Sequence, residues 1–386
     1  MSEQKAFAEY NALLKSGQLG AADDLISKSI AAGGRAESLY REWVRIASLR
    51  NLPKIAKERL SRAEALIPQS NWSLARALVH RRAREFREAL IALERLRPLL
   101  TTDVQRQELA ELERDLVQSQ EFAEGFARRD EAGPRIPYEA FGINLDLDGD
   151  RWQQLTAQFG ASAPALRRVP GVPGRYLPDV AVGRLGKRVS SQLKGTLGCF
   201  LGHVAAWEAF LATEHQAALV VEDDTTFRYA LPQSVTAFGV PENYDYCFIS
   251  AGMAASAGPR PGAATEFVSV PVAQAIRALW STVRVPGTQG YLLSRAGAET
   301  LLRRTEEDGF FGDVDWRLVA YCMERESLEN LPQSTFAHQA LTAQFDVIAS
   351  RPPMRGYALS PGIAFPGAWG SVRIAANRWK LHAHLT

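Results

Sequence analysis

The sequence predicts two domains, an all-α helical-repeat domain over residues 1–132 and an α/β domain over residues 133–386. At 386 residues the chain is longer than one ordinary domain. The first third is rich in Ala, Leu, Arg and Glu and poor in Pro, and its apolar residues recur at helical spacing. The rest alternates helical stretches with short apolar runs, which is the pattern of an α/β fold.

Composition narrows the class of protein. Hydrophobic residues make up 46% of the chain and charged residues 23%, the balance of a soluble globular protein. The formal net charge of +2 gives no indication of nucleic-acid binding. The three cysteines are an odd number in apolar surroundings, so we expect buried thiols in a reducing compartment. No signal peptide or membrane span is evident, and a cytoplasmic protein is expected.

A weak repeat runs through the N-terminal domain. Its positions lie 33 and 34 residues apart: Leu19, Leu52 and Phe86. A period of about 34 residues with two helices per unit is typical of tetratricopeptide-like arrays, in which each helical pair buries its apolar face on the next. Two interpretations follow, a surface that binds a protein partner and a spacer or homodimerisation element.

The α/β domain begins after a Gly- and Pro-containing segment, residues 131–137, which interrupts the helical pattern. Residues 140–145 are predicted to form the first buried strand, with Asn144 near its end. A short helix that carries Arg151 follows. A longer helix carries His203, which is either a structural residue or a contact to substrate.

The apolar run at residues 217–221 is followed at once by three carboxylates, Glu222, Asp223 and Asp224. Such a run, without alternation, is typical of a strand covered on both faces in the middle of a parallel sheet. Because ligands of open α/β sheets bind beyond the carboxyl ends of the strands, we expect the acids at the mouth of a crevice. Three adjacent negative charges favour a hard divalent cation such as Mg²⁺ or Mn²⁺. The alternative is a solvated acidic turn.

Later apolar runs predict further strands, at residues 244–249, 267–270 and 287–294. The loop over residues 251–265 is rich in small residues and is either a lid or an insertion. Asp313 and Asp315 open the next helical stretch, where the helix macrodipole favours a carboxylate. Capping of that helix is the alternative role for these two acids.

In this order, the pieces resemble glycosyltransferase family 25, which includes bacterial lipopolysaccharide sugar transferases and relatives of collagen galactosyltransferases. The resemblance covers roughly residues 138–350 and leaves the helical N-terminal third outside. Five segments carry it: Ile143–Leu145 with Arg151, Leu197–His203 with Trp207, Leu219–Asp224, Gly287–Ser294 with Gly297–Ala298, and Asp313–Asp315. The sequence departs from the family pattern at Thr196, where Glu is usual, and at Gly202, where Ser is usual.

The resemblance implies a GT-A (Rossmann-like) glycosyltransferase domain that moves a hexose, most commonly galactose, from a UDP-sugar with inversion. It implies that Mn²⁺ or Mg²⁺ is held by an acidic motif, with Glu222 and Asp224 as the expected metal ligands. His338 is expected either to complete the coordination or to be a surface histidine. Asp315 is the expected general base, and Asp313 is the alternative. The expected donor-binding residues are Asn144, Arg151, His203, Asp223 and Gln289.

The implied acceptor is a hydroxyl of a glycan, a lipooligosaccharide or another lipid-linked saccharide. The C-terminal stretch over residues 372–382 is basic with apolar residues at helical spacing, so it is either a docked helix or a peripheral contact with the inner face of a membrane. The alternative to an enzyme is an inactive protein that binds a sugar nucleotide and uses the helical repeats as an adaptor.

Overall fold

The computed structural model describes residues 3–16, 18–132, 134–146, 148–160, 164–180, 194–254, 267–279, 286–360 and 362–366. They divide into two compact units. The first consists of the residues through Glu124 with Arg228–Ala230 and Pro366, and the second of Gly125–Phe227 and Leu231–Phe365. The predicted loop over residues 251–265 lies largely outside the described residues, and the predicted C-terminal stretch over residues 372–382 lies wholly outside them.

The first unit is helical, as the composition predicts. Its helices are α1 (Glu3–Lys15), α2 (Leu19–Ala31), α3 (Glu37–Leu49), α4 (Pro53–Leu66), α5 (Ser73–Arg82), α6 (Phe86–Leu96) and the first part of α7 (Asp103–Ala132). From α1 to α6 each helix packs on the next in sequence. The shared core includes Tyr10, Ile26 and Ala47, whose side chains are fully buried.

The repeat positions coincide with structural positions. Leu19 and Phe86 are the first residues of α2 and α6, and Leu52 directly precedes α4. All three side chains are buried, as expected where one helical pair stacks on its neighbour. The pairs α1–α2, α3–α4 and α5–α6 follow the predicted period, and their closer likeness to tetratricopeptide repeats stays a prediction.

The two compact units divide inside α7, between Glu124 and Gly125. The helix itself ends at Ala132, just before the segment that contains Pro134, since proline does not continue a helix. The predicted domain boundary at residues 132/133 therefore coincides with the end of a helix, and the compact units change over earlier within that helix.

The second unit is built around one large sheet. Its strands are β1 (Tyr138–Asn144), β2 (Leu166–Pro170), β3 (Ala217–Glu222), β5 (Tyr246–Phe248), β6 (Val268–Pro271), β7 (Gly290–Ser294) and β8 (Gly356–Ser360). They lie in the order β2-β1-β3-β7-β5-β8-β6. Two further strands, β4 (Thr225–Phe227) and β9 (Ala364–Pro366), pair separately.

The prediction of a parallel sheet is wrong in one respect, because the sheet is mixed. Strand β1 pairs in parallel with β2 and β3, and β5 pairs in parallel with β8. Strand β7 runs antiparallel between β3 and β5, and β6 is antiparallel to β8. A continuous apolar run indicates burial on both faces but not strand direction. The α/β, Rossmann-like class after a helical region is confirmed.

Helices cover the sheet and complete the core of the second unit. They are α8 (Gly149–Thr156), α9 (Lys194–Leu211), α10 (Ala251–Ala254), α11 (Val272–Leu279), α12 (Arg295–Asp308), α13 (Val314–Tyr321) and α14 (Phe336–Phe345). Helix α9 packs on β1, β2 and β3 through Phe200, Trp207 and Phe210, which are fully buried. Within the described residues, no helix combines the length and the apolar character needed to span a membrane.

Strand direction brings the predicted site residues to one edge of the sheet. Because β1 and β3 are parallel and pair Ile143 with Glu222, Asn144 and the acidic triplet follow at the same edge. Strand β7 is antiparallel to β3 and pairs Gly290 with Val221, so the residues that precede Gly290 also reach this edge.

Candidate active site

The three adjacent acids at the end of β3 have three different environments. Glu222 is the last residue of the strand, and Asp223 and Asp224 follow before β4 begins at Thr225. Alternation along the chain turns neighbouring side chains apart, so each carboxylate meets a different part of the second unit. The pKa of each acid is therefore shifted by its own burial and its own neighbours.

Asp223 is buried and is held by residues of the first strand and the short helix. Asn144 Nδ2 donates to Asp223 Oδ2 at 2.8 Å, and Arg151 lies 3.4 Å from Asp223 Oδ1. Arg168 Nε donates to Asn144 Oδ1 at 2.9 Å, which fixes the orientation of the amide. Burial raises the pKa of Asp223, although Asn144 and Arg151 act against it. The structure thus brings three predicted donor-binding residues together.

Glu222 faces the helix α9 and the segment that leads into β7. Thr288 Oγ1 donates to Glu222 Oε1, and His203 Nε2 lies 3.6 Å from the same oxygen. Burial acts to raise the pKa of Glu222, but His203 and Thr288 outweigh it and lower the pKa below the usual range. Glu222 is therefore a carboxylate that stays ionised at neutral pH.

Asp224 differs from both neighbours because one of its oxygens lacks a donor. Its Oδ1 is buried and has no hydrogen-bond partner in the part of the chain that the structure describes. Burial first, and then the negative charge of Glu222, raise the pKa of Asp224 to about 7. A buried carboxylate oxygen without a donor is costly unless it is protonated or binds a cation. This orphaned oxygen beside an ionised Glu222 fits a divalent cation.

His203 is fully buried in the middle of α9 and belongs to a chain of polar contacts. Trp207 Nε1 donates to Tyr291 Oη at 2.7 Å, and Tyr291 Oη lies 3.0 Å from His203 Nδ1. The other ring nitrogen, Nε2, has no hydrogen-bond partner among the described residues. His203 therefore presents Nε2 towards Glu222, while Nδ1 contacts Tyr291, whose hydroxyl in turn accepts from Trp207.

The segment Pro286–Gln289 joins the acidic triplet to the second acidic pair. Gly287 N donates to Asp315 Oδ2 at 3.1 Å, while the next residue, Thr288, donates to Glu222. Gly287 has a φ of +71°, a left-handed conformation that favours glycine. The backbone carbonyl of Gln289 accepts from Thr225 Oγ1, which ties the segment to β4. One short segment thus contacts both the predicted metal site, through Glu222, and the predicted base, Asp315.

Asp315 and Asp313 differ in exposure although they are two residues apart. Asp315 lies buried in the first turn of α13, where Trp316 N donates to its Oδ1 at 2.8 Å. Burial first, and then the charge of Asp313, raise the pKa of Asp315 to about 7. Asp313 is exposed at the N-cap position and makes no side-chain cap hydrogen bond. Of the two, Asp315 has the pKa of a general base that works near neutral pH.

Cys199 corrects the expectation that all three cysteines are buried. It is solvent-accessible, whereas Cys247 and Cys322 are buried. Its Sγ lies within 4.8 Å of the ligand atoms of His203 and Glu222. A Cys one turn before a His on the same helix face was the signal that could have identified this residue.

Two other predicted site residues, His338 and Gln289, have no side-chain contact to the acids among those described above. His338 lies in α14, where Thr335 caps its backbone N–H and Thr342 Oγ1 lies 3.5 Å from its Nδ1. The group of potential metal-binding side chains in the described residues is Cys199, His203 and Glu222, without His338. The role of His338 as a metal ligand stays a prediction, as does that of the Gln289 side chain in donor binding.

Sequence reasoning did not single out Thr288 and Tyr291, although both lie in the segment Gly287–Ser294. A threonine or tyrosine next to a strand carries no sequence signal that separates a structural from a functional hydroxyl. The sequence signal that was present is the glycine before Thr288, because glycine often marks a turn that positions its neighbours.

Comparisons with known proteins agree on one family. Residues 139–315, a region that contains the acidic triplet and ends at Asp315, match the model of "Glycosyltransferase family 25 (LPS biosynthesis protein)". The chain is 27% identical over 178 residues to procollagen galactosyltransferase 1 of Danio rerio, an alignment that covers 43% of this chain and 28% of that protein.

Two insect relatives give shorter alignments. The chain is 27% identical over 110 residues to a glycosyltransferase 25 family member of Aedes aegypti, covering 24% of this chain and 18% of the relative. It is 30% identical over 95 residues to a glycosyltransferase 25 family member of Anopheles gambiae, covering 22% of this chain and 16% of the relative. The chain therefore spans less than a third of the length of each of these curated relatives.

Proposed function

We propose that this chain, whose residues 139–315 match the model of glycosyltransferase family 25, is a metal-dependent inverting glycosyltransferase. Its donor is a UDP-hexose, with UDP-galactose as the first candidate because a galactosyltransferase is among its relatives. The single observation that carries the proposal is the buried Oδ1 of Asp224, which has no hydrogen-bond partner among the described residues and lies beside the ionised Glu222. A divalent cation at this pair would give the oxygen a partner and would stabilise the charge that develops when a nucleoside diphosphate departs.

Glu222 and Asp224 would hold the divalent cation, Mn²⁺ or Mg²⁺, because carboxylate oxygens suit hard ions. His338 is the proposed third ligand. When bound, the cation supplies Lewis-acid stabilisation of the charge that develops on the departing UDP. Asp223 has a different role, since Asn144 and Arg151 contact its two carboxylate oxygens.

The donor would bind along the edge formed by Asn144, Arg151, Asp223, His203 and Gln289. Arg151 is the cation of this set, and it lies beside the triplet at 3.4 Å from Asp223. A guanidinium pairs well with phosphate oxygens. We therefore assign Arg151 to the diphosphate and the amide of Asn144 to orientation of Asp223.

Asp315 would accept the proton of the acceptor hydroxyl. In a single displacement the acceptor oxygen forms a bond to the anomeric carbon while the bond from that carbon to the UDP oxygen breaks. The proton goes to the carboxylate of Asp315, whose pKa of about 7 suits this transfer near neutral pH. Asp313, exposed at the start of α13, is the alternative base.

The acceptor is a hydroxyl of a glycan, a lipooligosaccharide or another lipid-linked saccharide. All three cysteines are free thiols, which agrees with a reducing compartment and supports a cytoplasmic location. A peripheral contact with the inner face of the membrane and a protein partner or second copy bound by the helical unit complete the proposal.

The test is UDP release from a panel of UDP-sugars with Mn²⁺ present and after EDTA treatment. The proposal predicts release from one UDP-hexose that EDTA abolishes and that added Mn²⁺ restores. Release that is unchanged by EDTA would contradict the metal dependence. Absence of release from every donor, with UDP binding retained, would favour a sugar-nucleotide-binding adaptor instead of an enzyme.

A further inference from the structure

Three side chains with different donor atoms converge beside the acidic triplet. Cys199 and His203 lie four residues apart on α9, so they share one face of the helix. Glu222 approaches this face from the end of β3. The Cys199 Sγ, a ring nitrogen of His203 and a carboxylate oxygen of Glu222 all lie within 4.8 Å of one another.

The histidine supplies independent evidence that this cluster binds a ligand. His203 is 0% exposed, and its Nε2 has no hydrogen-bond partner within the described parts of the chain. Its opposite nitrogen, Nδ1, lies 3.0 Å from Tyr291 Oη, which also accepts from Trp207. Histidines that bind metals usually have such a partner on the second nitrogen, because it fixes the ring and the tautomer.

We propose that Cys199, His203 and Glu222 form a binding site for a thiophilic divalent cation of the Zn²⁺ class. Thiolate, imidazole and carboxylate are the ligands that Zn²⁺ takes in proteins, commonly with a fourth position left to water. Mn²⁺ and Mg²⁺ prefer oxygen ligands and have little affinity for a thiolate. The site is therefore chemically distinct from the one proposed at Glu222 and Asp224, although it shares Glu222.

The geometry needs only a small adjustment. Ligands of one tetrahedral Zn²⁺ lie about 3.3–3.6 Å apart, given metal–ligand distances of about 2.0–2.3 Å. His203 Nε2 and Glu222 Oε1 are already 3.6 Å apart. Cys199 is solvent-accessible, so a change of its rotamer can bring the sulfur closer.

Two proton shifts accompany binding. The Cys199 thiol releases its proton to solvent when sulfur binds the cation. His203 must carry its proton on Nδ1, which then donates to Tyr291 Oη, so that the lone pair of Nε2 faces the cation. The cation also competes with the Thr288 hydroxyl for Glu222 Oε1. The site thereby couples Zn²⁺ to the carboxylate on which the proposed Mn²⁺ site depends.

The experiment titrates the full-length, EDTA-stripped protein with Co²⁺, a spectroscopic probe for Zn²⁺ sites, and then adds Zn²⁺. We expect a near-ultraviolet thiolate-to-Co²⁺ charge-transfer band that Zn²⁺ removes. Cys199→Ser should eliminate the band and weaken Zn²⁺ binding by more than the roughly 10–100-fold typical of a lost outer partner. Cys247→Ala, which removes a buried thiol of β5 that is not part of the cluster, should keep both the band and the Zn²⁺ affinity.

Absence of the band in the wild-type protein would overturn the proposal. So would a band that persists in Cys199→Ser or disappears in Cys247→Ala, because the thiolate would then be another cysteine. Far-ultraviolet circular dichroism of each variant verifies the fold. The readout is metal binding alone, so this site and the proposed transferase activity can each fail without the other.

Discussion

At the scale of single residues, the three adjacent carboxylates of the acidic triplet have three different sets of partners in the fold. Asp223 is bound by Asn144 and Arg151, Glu222 is bound by Thr288, and Asp224 has an oxygen with no donor in the described part of the chain. The sequence predicts that the triplet is the site, because three acids end a buried strand. It does not predict which acid is left free for a cation, since that depends on side chains from β1 and β7.

The first prediction concerns the pH dependence of transfer. Burial and Asp313 raise the pKa of Asp315 to about 7, so below that pH the carboxyl is protonated and cannot accept a proton. At saturating Mn²⁺ and donor, kcat should rise from pH 6 to pH 8 and fall about tenfold per pH unit well below pH 7.

Asp313→Asn provides the control for this pH profile. Removal of the Asp313 charge lowers the pKa of Asp315, so the rising limb of kcat should move to lower pH. An unchanged pH profile of kcat would contradict the inference that the charge of Asp313 raises the pKa of Asp315. Loss of all transfer in Asp313→Asn would identify Asp313 as the base.

The second prediction concerns the hydroxyl of Thr288. Thr288→Val removes the donor to Glu222 Oε1 at nearly constant volume, whereas Thr288→Ser keeps that donor. Lost outer partners of metal ligands cost about 10–100-fold in metal affinity. The Mn²⁺ concentration that half-activates UDP release should rise by that factor in the Val variant and little in the Ser variant. Equal values for the two variants would show that the hydroxyl does not position Glu222.

At the scale of elements, the apolar runs predicted the strands well because burial on both faces leaves a plain signal. The strand at residues 217–221 and the helix that carries His203 both occur. The direction of β7 was not predictable, because an apolar run reads the same in both directions and the connection sets the orientation. That direction matters for the site, since only an antiparallel β7 presents Gly287 and Thr288 at the edge where β3 ends.

The third prediction tests the packing of helix α12 on the sheet. A Cβ at Gly297 would overlap the carbonyl oxygen of Asp245, and that oxygen accepts from Ser294 N at 2.9 Å. The backbone cannot yield as a flexible side chain would, so Gly297→Ala should destabilise the protein by about 1–3 kcal/mol. Urea unfolding monitored by circular dichroism measures the change.

Gly195→Ala is the matched control within helix α9. A Cβ there meets no described atom within 4 Å, and Ala exceeds Gly in helix propensity by up to about 1 kcal/mol. This variant should be neutral or slightly more stable. If both variants unfold at the same urea concentration, the close approach at Gly297 does not determine the packing.

At the scale of the whole molecule, the sequence predicted a helical part and an α/β part, and both exist. Their division inside α7 was not predictable, because the helical spacing continues unchanged from Asp103 to Ala132. The compact units depend on which residues pack together over long sequence separations, as Arg228 does with Asp115 and Ser119. The helical spacing of apolar residues does not predict such long-range contacts.

We propose that Glu222 and Asp224 hold the cation that binds the nucleotide, while Asp315 acts on the acceptor. The most direct measurement is calorimetric titration of UDP into the wild-type protein, Asp224→Asn and Asp315→Asn, with and without Mn²⁺. We expect Mn²⁺ to strengthen UDP binding to the wild-type protein and to Asp315→Asn, but not to Asp224→Asn. Equal loss of UDP affinity in both variants, or full Mn²⁺-dependent binding by Asp224→Asn, would contradict the proposal.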